Sequence, residues 1–350
     1  MIDWMIYGAN GYTGELVARE AKRRGMQPVL AGRNRDSIER LAGELQLPCR
    51  VFGLDDARTA ARQLAGIGLV LHCAGPFSAT SAPMIEACLA AHAHYLDITG
   101  EIGVFEHAHA QHARAQQAGI VLCPGVGFDV IPTDCVASAL KAALPDATRL
   151  ALGFDSRSGF SPGTAKTSVE GLAQGGKVRR GGRIVSVPLA YGTRRIDFGD
   201  GDKLAMTIPW GDVFTAYIST GIPDIDVYIP ASPGMVRNAR LANHVRWLLR
   251  LQPVQSFLKG RIGKSVKGPD EAARARLPTY VWGEAINAAG HRKTARIRTA
   301  NGYSLTVTGS LAVVAFLLQN RAPPGAYTPS QLLGADFVST LPGSGPLVIE

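Results

Sequence analysis

Three glycines at a spacing of three close the first strand-like run of the chain. Trp4 to Tyr7 is apolar on both faces, as a buried parallel strand must be, and Gly8-Ala9-Asn10-Gly11-Tyr12-Thr13-Gly14 follows at once. Gly8 can take the backbone angles of a tight turn, Gly11 lets the chain approach a diphosphate, and Gly14 lets the new helix lie close on its strand. That helix, with Leu16, Val17 and Ala21 on one side, ends in Lys22-Arg23-Arg24-Gly25, where basic residues and a glycine suit a helix C-terminus. Its first N–H groups and positive dipole end face whatever anion occupies the turn. Strand, glycine turn and helix in this order predict a dinucleotide site that includes Gly8, Asn10, Gly11, Tyr12, Thr13 and Gly14.

The second strand selects the nucleotide. Pro28 to Gly32 is followed by Arg33-Asn34-Arg35, where an NAD site places an acidic residue for the ribose 2′-hydroxyl. Arg33 pairs with a 2′-phosphate instead, so NADP(H) is expected, with Arg33 and Asn34 among its contacts. Asp55, just beyond a third strand at 49–52, is a further candidate contact.

Strand and helix alternate onward. Strands are expected at 68–74, 95–98 and 120–123, with helices over 37–45, 56–65, 84–91 and 103–118. Alternation with right-handed crossovers gives a doubly wound parallel sheet, whose ligand lies beyond the carboxyl ends of the strands. The residues there are Ala74-Gly75-Pro76-Phe77, Asp97 with Thr99-Gly100-Glu101, and Pro124 to Asp129. Ala74, Gly75, Pro76 and Phe77 are therefore candidate cofactor contacts. Asp97, Glu101 and Asp129 are the candidate acid–base groups for a hydride acceptor that needs a proton, although carboxylates at such positions also hold loops through backbone N–H groups.

The segments Gly8 to Gly14, Ala31 to Asn34, Ala74 to Phe77, Tyr95 to Glu101 and Gly127 to Asp134 occur in an order that resembles the saccharopine dehydrogenase-like oxidoreductases, especially their trans-acting enoyl reductase branch. The likeness is dense to about residue 135. Beyond it, Gly163 to Ser168, Tyr327-Thr328-Pro329 and Leu332-Leu333-Gly334 resemble shorter stretches of that branch. The resemblance implies an NADP-dependent reductase with a nucleotide domain and a mixed α/β second domain; the strand and helix pattern divides the chain into an NADP-binding Rossmann domain over 1–134, an α+β substrate or oligomerisation domain over 135–304, and a C-terminal segment, 305–350, expected to return to the first. The resemblance also implies reduction of a C=C bond in an enoyl or acyl-lipid substrate, or of a C=N imine in amino-acid metabolism. The same motifs would serve a sensor or scaffold that binds NADP(H) without turnover. A Tyr-x-x-x-Lys pair, the acid–base device of short-chain dehydrogenases, is absent from all nine tyrosines.

With 350 residues and 46% hydrophobic content the chain can form two domain cores. No signal peptide is visible, and the apolar run 305–318 is interrupted by Thr306, Thr308 and Ser310, so a buried helix is expected there. Five cysteines without C-x-x-C spacing read as reduced thiols of a cytoplasmic protein. His107, His109 and His112 lack acidic partners at ligand spacing, so a solvated helix face is expected and no metal site.

The net charge of +9 is uneven. Residues 1–130 hold 11 Lys or Arg against 13 Asp or Glu, and residues 131–350 hold 26 against 15. A basic second part suits an anionic or acyl-linked small substrate; no nucleic-acid module accompanies it, so nucleic acid is not expected. Strands are expected at 150–154, 183–187, 194–198, 204–208, 214–220, 225–229, 280–286 and 294–299, giving a mixed, largely antiparallel sheet whose exposed strands suit a homodimer. Gly175-Gly176 and Gly181-Gly182 read as the ends of a mobile basic loop. Between these strands, 235–258 is a basic amphipathic helix, expected to pack on its own domain with a solvated arginine face; contact with an acyl-carrier protein or a membrane surface is the other reading.

Overall fold

Four of the five residues of β1 (Asp3–Tyr7) are buried, as a strand covered on both faces requires. The computed structural model describes residues 3–157, 171, 174–249, 251, 254 and 268–350. After β1 come α1 (Tyr12–Arg23), β2 (Val29–Gly32), α2 (Arg35–Leu45), β3 (Cys49–Val51), α3 (Ala57–Gln63), β4 (Ile67–His72), α4 (Phe77–Ala91), β5 (His94–Asp97), α5 (Ile102–Ala110), α6 (His112–Ala118) and β6 (Val121–Cys123). They build a seven-stranded parallel sheet in the order Gly325–Ala326, β6, β5, β4, β1, β2, β3. The chain leaves β1 in one direction through β2 and β3 and in the other through β4, β5 and β6. The switch lies between the carboxyl ends of β1 and β4, where such sheets hold their ligands.

Residues Met1–Ile131 and Tyr303–Leu333 form one unit, and Pro132–Gly302 with Gly334–Glu350 the other. The core of the first includes Met5, Tyr7, Leu64, Val70, Met84, Ile85, Tyr95 and Leu122. The expected single helix over 103–118 breaks at Gln111 into α5 and α6, and α6 stops at Gly119, which takes φ +71. α4 begins seven residues before the expected helix, directly after Pro76.

The second unit contains α7 (Ile131–Ala143), β7 (Ala147–Ser156), β8 (Gly176–Arg180), β9 (Arg183–Val187), β10 (Thr193–Asp197), β11 (Asp202–Thr207), α8 (Asp212–Thr220), β12 (Asp224–Pro230), α9 (Pro233–Leu249), α10 (Glu271–Arg276), β13 (Thr279–Asn287) and β14 (Arg292–Thr299). Its sheet runs β10, β11, β12, β7, β13, β14, Val348–Ile349, with β8 joined to β12 and β9 to β8. Among the described residues only the β12–β7 pairing of this sheet is parallel. The architecture is thus a doubly wound parallel sheet plus a second α+β unit with a mixed, largely antiparallel sheet.

Two expectations change here. Residues 214–220 are helical, not a strand: Gly221 ends α8 at φ +69, Asp212 stands in the first turn, and Val213, Ala216 and Thr220 are buried at helical spacing. The basic stretch read as a mobile loop is β8, because Gly181 (φ +54) and Gly182 (φ +76) form a two-residue hairpin turn that pairs Arg180 with Arg183. The Gly163 to Ser168 segment lies outside the described residues.

After β14, α11 (Gly302–Gln319) carries the apolar run as a helix, 56% of it buried inside the protein.

Gly283 in β13 lies under α7: a Cβ there would stand 2.5 Å from Val136 Cγ1 and 2.8 Å from Leu140 Cδ1. Gly283→Val is expected to lower the unfolding free energy by about 1–3 kcal/mol through overpacking. An unchanged denaturant midpoint would show that α7 is not seated on this strand.

Candidate functional site

Gly8 ends β1 at φ +82, and its N–H and that of Ala9 both donate to Ala31 O, at 2.7 and 3.1 Å. A Cβ on Gly8 would lie 2.7–2.8 Å from the backbone and Cβ of Ala74, so only glycine lets the first turn meet the second residue past β4. On Gly14 a Cβ would fall 2.2 Å from Gly8 O. On Gly11 it would meet that same oxygen at 3.3 Å and nothing else within 4 Å. Gly11 is exposed, and no side chain caps the helix N-terminus it opens. This open, uncapped cradle fits a dinucleotide diphosphate.

Around it, Asn10 sets its Oδ1 against Gly32, 3.1 Å from where a Cβ would stand. Thr13 is half-buried, and Tyr12 meets Tyr303 edge-on with ring centroids 5.2 Å apart. Arg33 is exposed directly after β2. Tyr7 donates its hydroxyl to Phe52 O at 3.0 Å, and its pKa is pushed up to about 12 by burial, with nearby Arg33 opposing and Asp55 adding to the rise. Arg33 and Asp55 therefore both act on the Tyr7 hydroxyl, in the last residue of β1. Asn34 serves the helix instead, since its Oδ1 accepts the Ser37 N–H at 2.9 Å and caps α2.

The three candidate acids separate by environment. Asp97 is fully buried and accepts from Tyr95 Oη at 2.7 Å, Thr99 N at 3.0 Å and Gly125 N at 2.8 Å. Burial pushes its pKa up to about 6 against those hydrogen bonds. A carboxylate so enclosed cannot touch a substrate; it joins the loops after β5 and β6. Glu101 accepts the Phe77 and Ser78 N–H groups at 3.0 and 2.9 Å, and so supplies the anion at the start of α4 that Pro76 cannot. Asp129 is half-buried against Gly100, where a Cβ would lie 2.9 Å from its Oδ2. Burial, with Glu101 adding to it, raises Asp129 to about 7. It is the acid whose proton is in play at neutral pH.

Gly75, Pro76 and Phe77 thus stand between the glycine turn, reached through Ala74, and the Glu101–Asp129 pair. Sequence reasoning missed two supports. Thr306 of α11 accepts the Phe128 N–H at 2.9 Å and meets Gly127, holding the segment before Asp129; a threonine amid apolar residues was the available signal. Thr80 donates to Ala74 O at 2.6 Å and receives His72 Nε2–H at 2.9 Å, while burial holds His72 down to about 3 and neutral.

The histidine face also differs from expectation. His112 Nδ1 accepts the Ala326 N–H at 3.1 Å and so ties the Gly325–Ala326 strand to α6, and His109 is held down to about 4 by burial. Among the described residues no His, Cys, Asp and Glu cluster could hold a metal. Among them too, all five cysteines are free thiols.

Asp97→Ala leaves three buried donors without their acceptor. It is expected to cost about 3 kcal/mol or more at roughly 1–3 kcal/mol per orphaned donor, read from denaturant unfolding. A loss near zero would remove Asp97 from the site's framework.

Residues 4–123 match the model of the saccharopine dehydrogenase NADP binding domain. A probable mitochondrial saccharopine dehydrogenase-like oxidoreductase of Arabidopsis thaliana is 30% identical over 201 residues, 51% of this chain and 44% of that protein. A candidate trans-acting enoyl reductase of Mycobacterium tuberculosis is 28% identical over 187 residues, 49% of this chain and 44% of that protein. The matched stretches span less than half the length of these relatives. Among solved structures, the apo saccharopine dehydrogenase (L-Glu forming) of Saccharomyces cerevisiae aligns over 100% of this chain and 99% of its own with a TM-score of 0.68 at 9% identity, a likeness of fold. With the glycine cradle and Arg33 inside the matched stretch, residues 4–123 form an NADP-binding domain of the saccharopine dehydrogenase type.

Proposed function

We propose that the protein is an NADPH-dependent reductase that adds hydrogen across an activated C=C bond of an acyl-linked substrate. The observation that carries this reading is Asp129, a carboxyl raised to about 7 that sits against Gly100 beyond the sheet's carboxyl edge, where Glu101, the residue that holds the Phe77 and Ser78 N–H groups, adds to the rise. The kinship with a candidate enoyl reductase supports C=C over C=N as the acceptor.

NADPH, when bound, supplies the hydride. Gly8, Gly11, Gly14 and the N-terminus of α1 would hold its diphosphate, and Arg33 its 2′-phosphate. Reduction of an enoyl group needs one hydride and one proton, and Asp129 provides the proton. Its carboxyl is protonated below about pH 7 and can release that proton to the carbon that has become basic. Glu101 fixes the start of α4 and, by its charge, keeps Asp129 protonated to higher pH; it is a positioning residue.

Arg33→Ala is expected to weaken NADPH binding about 10- to 100-fold, the range of one lost charge-assisted pair, and NADH binding little. Equal losses for both nucleotides would reassign Arg33. Activity should be retained in acid and fall as pH rises through about 7, where Asp129 gives up its proton. Asp129→Asn should lower kcat by about 10²–10⁴ and remove that limb while NADPH affinity is kept. An enoyl panel that stays inert while cyclic imines turn over would move the substrate class to C=N.

A further inference from the structure

Ten large apolar side chains are exposed among the described residues, and six of them, Met235, Leu241, Val245, Trp247, Leu248 and Leu251, lie on α9 or two residues past it. The helix is seated by a narrow stripe at positions 236, 239 and 243. Val236 and Ala239 pack against Ala190, Ala231, Leu204 and Met206, and the Asn243 amide brackets Leu189, accepting its N–H at 2.9 Å and donating to its carbonyl at 3.2 Å. Packing on its own unit is therefore as expected, but the face left to solvent is not one of arginines alone. Leu241, Val245 and Leu248, 58%, 47% and 37% exposed, follow i, i+4, i+7 as one apolar stripe, and Trp247 is 64% exposed beside it.

We propose that this outer face of α9 docks on an anionic lipid bilayer, with the helix lying in the plane of the headgroups. Charge selects the occupant. Arg237, Arg240 and Arg246 share the helix with no acidic residue, and the sequence from 233 to 267 holds eight Lys or Arg and no Asp or Glu. A second copy would bring like charge against like charge, whereas an anionic headgroup layer neutralises it. Exposed Leu, Val and Trp interspersed with arginines match a helix that buries its apolar stripe at the acyl boundary, where indole rings favour the interface. A cluster of this kind on a monomer's surface marks an interaction site rather than chance exposure. The inference is independent of the reductase reading and of the nucleotide site.

The test is flotation of the 350-residue chain with vesicles of phosphatidylcholine mixed with phosphatidylglycerol, and with phosphatidylcholine alone, followed also by tryptophan emission. Of the four tryptophans, Trp4 and Trp282 are only 3% exposed and Trp210 is half-buried against Phe154, so a blue shift on vesicle addition is assigned to Trp247, 64% exposed, by its loss in the variant without that ring. Flotation with the anionic vesicles only, a blue shift lost in Trp247→Ala, and at least tenfold weaker flotation of Leu241→Glu/Leu248→Glu with NADPH affinity unchanged are expected. No flotation would overturn the proposal. So would flotation that the double variant leaves intact, which would reflect the basic charge of the chain alone. A concentration-dependent dimer abolished by the same variant, or binding to an acidic acyl-carrier protein in place of vesicles, would replace the membrane by that partner.

Discussion

The buried carboxylate of Asp97 is the constraint on which the site's geometry depends. One oxygen gathers the N–H groups of Thr99 and Gly125, the other takes the Tyr95 hydroxyl, and its backbone carbonyl accepts from Val126 N at 2.7 Å. Two loops from neighbouring strands are thereby fixed to one residue. From there the order passes outward: Thr99 Oγ1 accepts the Glu101 N–H, and the Glu101 carboxylate holds the first N–H groups of α4. The Gly125 branch leads to Asp129. Asp97 thus sets both Glu101 and Asp129 without facing the ligand itself.

This arrangement has a stability cost that follows from its electrostatics. Asp97 and Asp129 are raised from 3.8 to about 6 and about 7, with burial the leading cause in both. A carboxyl whose folded pKa exceeds its unfolded one stabilises the fold fully below the unfolded value and loses that contribution as pH rises through the folded one. Both groups therefore weaken the fold between about pH 4 and pH 7. For Asp97 the three hydrogen bonds offset part of the penalty. For Asp129 the raised pKa is the property the proposed chemistry uses.

What could be read from the sequence and what could not divides along local and non-local physics. The glycine turn was legible because its requirement is local: Gly8 needs a positive φ and Gly14 a helix lying on its own turn. Strand ends could be named because the alternation of strands and helices orders the sheet. The roles of Asp97 and Glu101 could not, because carboxylates at strand ends look alike until their donors are known, and those of Glu101 lie 23 and 24 residues away. Residues 214–220 misled for a related reason. Phe214, Tyr217 and Ile218 favour a strand by propensity, yet burial of Val213, Ala216 and Thr220 and the stop at Gly221 decide for a helix. At α9 the basic amphipathic pattern was visible, but which stripe faces inward depends on the Asn243 contact with Leu189, and an asparagine in a helix does not announce that.

The uneven charge of the chain acquires a physical sense from this division of labour. The nucleotide is an anion, yet the unit that binds it has no excess of positive residues over 1–130. In the proposed binding mode it has no need of one, since backbone N–H groups at a helix start and one guanidinium at β2 would meet diphosphate and 2′-phosphate with directed short-range contacts. The surplus lies in residues 131–350, and a long-range field is what it provides there. A field of that kind concentrates an anionic partner without specifying its orientation; orientation must come from shape and apolar contact. In the docking proposed for α9 the two would coincide, with arginines supplying attraction and the Leu241, Val245 and Leu248 stripe setting which face meets the bilayer.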